Sequence, residues 1–295
     1  MKIGLIDIDS KIPNLALMKL SAHYQEYGFK TELTQPLFAE EYDSVFASKI
    51  FPDTGMPVIN GDVVVGGSGS GNNDWLPNEI EHIMPDYRLY RDVDYSMGFT
   101  SRGCFRKCPF CVVPEKEGDL RENADIYEFW DLTHKKIVFF DNNILALPEH
   151  FERIANQILL AEVRVDFNQG LDIRVLSDSQ AKLLSKMKPI SQWRFSFDSM
   201  SYESGFRKGA QRLIDAGVNP RRIMVYVLCG FDEELEDELE RIRIIKHDYG
   251  FDPFVMPYNK TDSRGQLAMW VNDKVRFAVF KTFDEYLKYL VDRRK

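Results

Sequence analysis

The chain has 295 residues, 44% of them hydrophobic and 28% charged. That composition excludes a mainly disordered chain and fits one large α/β unit or two modest domains. Lys+Arg number 38 and Asp+Glu 46, a net charge of −8; this disfavours a general nucleic-acid binder, which needs a basic face.

The first segment, MKIGLIDID, sets acids inside an apolar run, so it reads as a strand rather than a secretion signal. Lys2 to Ile8 is a continuous apolar strand. Pro13 opens a helix whose apolar face recurs at Leu17, Leu20 and Tyr24 before Gly28 stops it. KTELT, SVFASKIF and DVVVGG are further strands, and the last runs into a loop, Gly66-Gly67-Ser68-Gly69-Ser70-Gly71. Leu76 to Tyr90 reads as a short helix and a connector. This βα order predicts a small parallel sheet over residues 1–94.

From Tyr95 a second βα series begins. Its six strand candidates are Tyr95–Gly103, Lys135–Asn143, Val163–Gly170, Ile190–Asp198, Arg221–Gly230 and Phe251–Asn259. Between them lie helical stripes, such as Phe151, Ile154, Ala155, Ile158 and Leu159, and a capping box at Ser177–Gln180. Six strand–helix repeats predict a partial barrel over residues 95–259. Residues 260–295 form an extension, in which Trp270, Arg276 and Phe280 are candidates for a substrate or partner surface. No apolar run reaches the length of a membrane-spanning helix.

Four cysteines are present. Cys104, Cys108 and Cys111 form a C-x3-C-x2-C motif, and Cys229 stands far away. A tight trio in a long chain points to a metal or cluster in a reducing compartment, not to a disulfide framework, so the expected location is the cytoplasm. Three thiolates so spaced can hold three irons of one 4Fe–4S cluster and leave the fourth open. The competing reading is a zinc knuckle. Zinc wants a fourth Cys or His nearby, and neither His82 nor His134 gives a recognisable zinc spacing. One remaining cysteine is too few for a second cluster.

The motif TSRGCFRKCPFC, placed after the first strand of a six-strand βα series and with Phe110 before its last cysteine, resembles the radical S-adenosylmethionine (radical SAM) superfamily. The whole loop is most similar to the branch that carries a cobalamin-type, Rossmann-like domain ahead of the barrel. The resemblance implies a (β/α)6 barrel, one 4Fe–4S cluster, S-adenosylmethionine as cofactor, and a one-electron donor such as flavodoxin or ferredoxin. It implies reductive cleavage of S-adenosylmethionine to a 5′-deoxyadenosyl radical that takes hydrogen from a substrate the sequence does not name. The methylthiotransferase branch is disfavoured, because it needs a second cysteine set.

The resemblance also distributes roles. Asp141, Asn142 and Asn143 end the second strand, where the methionine ammonium is received, although DNN departs from the usual GGE-type motif and also suits a plain turn. Gln169, Asp172 and Arg174 follow the third strand. Arg174 fits a carboxylate bidentately or begins a helix and pairs with a surface acid. Ser196 and Asp198 end the fourth strand and suit ribose or methionine, with Arg194 on their face. Gly230 permits close approach of adenine after the fifth strand. Met256 offers backbone groups to its edge, and Tyr258, Asn259 and Lys260 face a substrate opening. Cys229 reads either as a hydrogen-atom donor or as a small buried hydrophobe. Cobalamin is not expected: the N-terminal part is short and lacks the D-x-H-x-x-G signature. The alternatives are a cobalamin-dependent radical methyltransferase, or a cluster- or zinc-binding protein without catalysis.

Overall fold

Strand β1 (Lys2–Asp7) is apolar on both faces because it lies inside a parallel sheet. It pairs with β2 (Lys30–Leu33) on one side and β3 (Ser44–Ser48) on the other, and β4 (Val63–Gly66) extends the sheet, giving the order β2-β1-β3-β4. Ile3 and Leu5 pack on Leu17 and Leu20 of helix α1 (Leu15–Glu26), while Ile6 meets Ala39, Val45 and Ala47 on the opposite face. The helix starts at Leu15, two residues later than Pro13 suggests. The reason is Asn14, whose Oδ1 accepts from Leu17 N at 3.2 Å and whose Nδ2 donates to Ser48 Oγ at 2.8 Å. The Leu76–Tyr90 stretch forms only a one-turn helix, α2 (Asn78–Glu81), and a 3-10 turn, Tyr87–Leu89.

The computed structural model describes residues 1–72, 75–259 and 262–293, with Asp262 by its backbone only; the sequence expectation for Lys260 therefore lies outside the described residues. The chain sorts into two units. One is Met1–Phe99 with Ala124–Val138, the other Thr100–Asn123 with Phe139–Lys295.

The expected strand Tyr95–Gly103 is broken into β5 (Ser96–Gly98) and β6 (Ser101–Arg102). In the second unit β6 pairs antiparallel with β7 (Arg121–Glu122), and between them lies a short helix, α3 (Val113–Lys116). Strand β8 (Lys136–Phe139) is followed by helix α4 (Pro148–Ala161), β9 (Arg164–Phe167), α5 (Asp178–Lys186) and β10 (Lys188–Pro189). Then come β11 (Trp193–Ser196), α6 (Glu203–Asp215), β12 (Ile223–Cys229), α7 (Leu235–Arg243) and β13 (Asp252–Pro257). Pairings β9–β10, β11–β12 and β12–β13 are all parallel, and a parallel bridge joins Leu171 to Phe195. The fold is thus mixed α/β with parallel sheets.

Alternation along β12 defines two faces. Ile223, Val225, Val227 and Cys229 are buried, whereas Met224, Tyr226 and Leu228 are partly exposed. The buried face continues through Phe195 and Val255. Phe197 stacks on Phe206 of α6 at 4.4 Å between ring centroids. The register sets Ser196 beside Tyr226 and Leu228 beside Met256 on the other face. Helices α8 (Asp262–Val271), α9 (Lys274–Val279) and α10 (Phe283–Asp292) follow. Among the described residues no helix is long and apolar enough to cross a membrane.

Candidate functional site at the cysteine loop

The loop that carries the three cysteines is fixed at its base. The β6–β7 pair closes it, and Asn123 N donates to Thr100 O at 2.8 Å. Asp141, buried just after β8, receives four hydrogen bonds from the loop's first two residues. Thr100 N and Oγ1 donate at 3.1 and 2.7 Å, and Ser101 N and Oγ at 2.5 and 2.6 Å. Asp141 therefore spends its carboxylate on the loop. Gly103 is required by geometry: its φ is +75°, and a Cβ there would lie 2.3 Å from Asp119 O.

The tip of the loop faces solvent, with Phe105 and Lys107 exposed and all three thiols partly buried and unpaired with one another. Cys104 Sγ accepts from Arg106 N and from Asn143 Nδ2, each at 3.4 Å. Burial pushes the Cys108 thiol up, opposed by the Arg174 guanidinium, and Cys104 and Cys111 push it the same way as burial. Burial likewise raises Cys111, with Cys104 and Asp198 adding to it. The three sulfurs thus sense one another, although among the described residues no three of His, Cys, Asp or Glu stand together as a metal-holding group.

Several expected site residues converge on this loop. Asp172 accepts from Arg174 Nε at 2.7 Å and Nη2 at 3.1 Å, and also from Arg106 Nε of the loop. Burial pushes the Asp172 carboxyl up, but the hydrogen bonds from Arg174 and Arg106 together outweigh it and hold the group below the ordinary range. Arg174 thus pairs with an acid, but with the buried Asp172 rather than the surface acid expected, and its guanidinium also lies 4.2 Å over the Tyr202 ring. Asp198 accepts from Leu228 N at 3.3 Å; burial raises its pKa, opposed by Arg241 and by a hydrogen bond from Ser196. The side-chain oxygens of Asn142 and Asn143 are buried and have no hydrogen-bond partner. Asn143 is 3% exposed, so a buried acceptor stands on the same carboxamide that touches Cys104.

No known family model and no curated protein matches this chain.

Phe110, beside Cys111, packs edge-on against Phe231, with centroids 5.5 Å apart. Phe231 packs in the same way on Tyr258 at 4.9 Å. Sequence reading missed Phe231; its signal was the position directly after Gly230. Arg106 was also missed, although it stands inside the motif. Gly230 has φ +79°, donates its N–H to Glu238 Oε1 at 2.6 Å and sits against Arg264, whose Cγ would be 3.1 Å from an added Cβ. Met256 is 46% exposed on the face shared with Leu228. Gln169 is exposed at a turn closed by Gly170 N to Phe167 O at 3.0 Å.

Cys229 is not brought to this face. It is 1% exposed on the buried side of β12, with its Sγ 3.7 Å from Val227 O, and burial pushes its thiol up to about 12. In the other unit, the glycine-rich loop after β4 is consumed in packing. A Cβ on Gly67 would lie 2.4 Å from Lys49 O, and one on Gly69 2.5 Å from Phe51 C.

Proposed function

We propose that this chain is a radical SAM enzyme built on a partial (β/α)6 barrel. In this reading Cys104, Cys108 and Cys111 would hold one 4Fe–4S cluster and leave it an open position for S-adenosylmethionine. The donor set supports it: three thiols on one base-fixed loop, with N–H groups already directed at Cys104 sulfur. When bound and reduced, the cluster supplies one electron that cleaves the S–C5′ bond to methionine and a 5′-deoxyadenosyl radical. A donor of flavodoxin or ferredoxin type would provide that electron.

The observation that carries the reading is Asn143. It holds Cys104 with its amide nitrogen and keeps a buried, unpartnered oxygen beside it. A buried acceptor without a donor is costly, about 1–3 kcal/mol, and an amino acid ammonium next to the cysteine loop would remove that cost. Arg106 of the loop and Arg174 share the single carboxylate of Asp172, which leaves a net positive charge suited to a second carboxylate. Phe110, Phe231 and Tyr258, packed edge-on in a row, provide apolar ring surface for a purine.

The test is formation of 5′-deoxyadenosine. The full chain is reconstituted anaerobically with iron and sulfide, then given dithionite and S-adenosylmethionine, beside Cys108→Ala. Product in the wild type alone supports the reading. No product, together with an EPR signal of the reduced cluster that S-adenosylmethionine leaves unchanged, overturns it.

A further inference from the structure

A second polar cluster lies on the same face of β11 as Ser196, and the cysteine loop does not use it. Arg194 Nη1 pairs with Asp166 Oδ2 at 2.7 Å and donates to Asn168 Oδ1 at 2.5 Å. The Tyr226 hydroxyl donates to Asn168 O at 3.3 Å, and its ring rests against Gly170, where an added Cβ would be 3.3 Å away. The guanidinium is therefore held in one orientation by Asp166 and Asn168, with Tyr226 bracing Asn168 from behind.

Two atoms of this ion pair are left over. Arg194 Nε, a donor, and Asp166 Oδ1, an acceptor, are both buried and both lack a hydrogen-bond partner. Buried polar atoms are almost always partnered, so each orphan asks for an explanation. The pair is not sealed off, since 19% of the Arg194 side chain and 12% of the Asp166 side chain remain accessible. Side chains two apart on a strand share a face. Ser196 is thus about 7 Å further along that face, toward the carboxyl end of β11.

We propose that Asp166 and Arg194 form the anchor of a substrate site for a neutral group that presents a hydrogen-bond acceptor beside a donor. A primary amide, a lactam and a pyrimidine edge have that character. A carboxylate would satisfy Arg194 Nε but face Asp166 Oδ1, and an ammonium would do the reverse. A group carrying both functions answers both orphans, and sites built this way reject analogues that lack one of them. That the occupant is the enzyme's substrate rests on the function proposed above; the site itself does not.

The test is ligand-observed NMR on the full chain with acetamide and uracil as probes, and with acetate and 1,3-dimethyluracil as controls. The expected result is saturation transfer to acetamide or uracil and none to the controls. Arg194→Lys and Asp166→Asn, each with an unchanged circular dichroism spectrum, should weaken the probe by about tenfold or more, the worth of one hydrogen bond to a charged group. The proposal is overturned if neither probe binds, if the controls bind equally well, or if the variants bind like the wild type. The probe-against-control comparison needs no variant, so a misfolded mutant does not blunt it. Probe binding with no 5′-deoxyadenosine and an EPR signal that S-adenosylmethionine leaves unchanged would sink the enzymatic reading and keep the site; product without probe binding would do the opposite.

Discussion

Asn143 Nδ2 lies 3.4 Å from Cys104 Sγ, so the segment after β8 reaches the first cysteine of the motif through one carboxamide. A hydrogen bond to a cluster sulfur favours the reduced, more negative state. Removing it in Asn143→Leu should lower the reduction potential of the reconstituted cluster by about 40 mV. That corresponds to a bond of about 1 kcal/mol in a one-electron couple, where a tenfold change is about 59 mV. An EPR-monitored redox titration reads this directly, and an unchanged potential would leave Asn143 with a purely structural role.

The four thiols should divide three to one under alkylation. Cys104, Cys108 and Cys111 are partly exposed, whereas Cys229 is buried with its thiol pushed up to about 12. The thiolate is the reactive form. Iodoacetamide at mildly alkaline pH should therefore modify the loop cysteines of the cluster-free protein and spare Cys229 until denaturant is added. Peptide mass spectrometry after native labelling would show it, and early loss of Cys229 would contradict the packing of β12.

Gly103→Ala should damage the loop while sparing the sheets. The new Cβ meets a backbone carbonyl, Asp119 O at 2.3 Å, and the residue keeps φ at +75°. A carbonyl cannot rotate away as a side-chain end can, so a local cost of about 2–4 kcal/mol is expected. Iron bound after reconstitution should fall several-fold with the far-UV spectrum preserved. Full iron loading would show that the loop base tolerates a shift.

In the first unit, Glu32 joins Lys2 at 2.9 Å, Lys30 at 3.1 Å and the Tyr42 hydroxyl at 2.9 Å. The Lys2 hydrogen bond leads in lowering its pKa from 4.5 to about 2. The folded pKa lies below the unfolded one, so the stabilisation is complete above pH 4.5 and is lost as pH falls from there toward about 2. The side chains of Lys2 and Glu32 are each 35% exposed, so solvent screening keeps the effect small and salt-sensitive. Glu32→Gln should flatten this acid limb in urea titrations at low salt, and an identical pH profile would count against the pairing.

The strands were legible because their apolar runs and β-branched residues leave few alternatives. Lys2–Asp7, Ile223–Cys229 and Asp252–Pro257 each lie inside the expected runs. Tyr95–Gly103 misled because its composition is strand-like throughout, while Thr100 and Ser101 turn their backbone N–H groups to Asp141 and break the ladder. That partner stands about forty positions away and leaves no local signal. The cysteine spacing was visible outright, and alternation placed Ser196 and Arg194 on one face. It also decides Cys229: an odd number of steps from Leu228 along β12 puts it on the buried side. The Arg106 pairing was hidden: Arg174 stands two positions from Asp172, but Arg106 comes from a separate segment and only the fold brings it there.

The path of the chain between its two units governs how the protein can be cut. Thr100–Asn123 belongs to one unit, yet its flanks, ending at Phe99 and resuming at Ala124, belong to the other. A truncated fragment starting at Tyr95 would lose Tyr87, whose hydroxyl accepts from Met97 N at 3.0 Å and donates to Phe129 O at 2.5 Å. The buried side chains of Ile126, Phe129 and Trp130 would stay behind without the unit they pack in. No single scissile point therefore yields two self-sufficient pieces. Dissecting this protein calls for a discontinuous excision that bridges Phe99 directly to the segment after Asn123, or for leaving the chain whole.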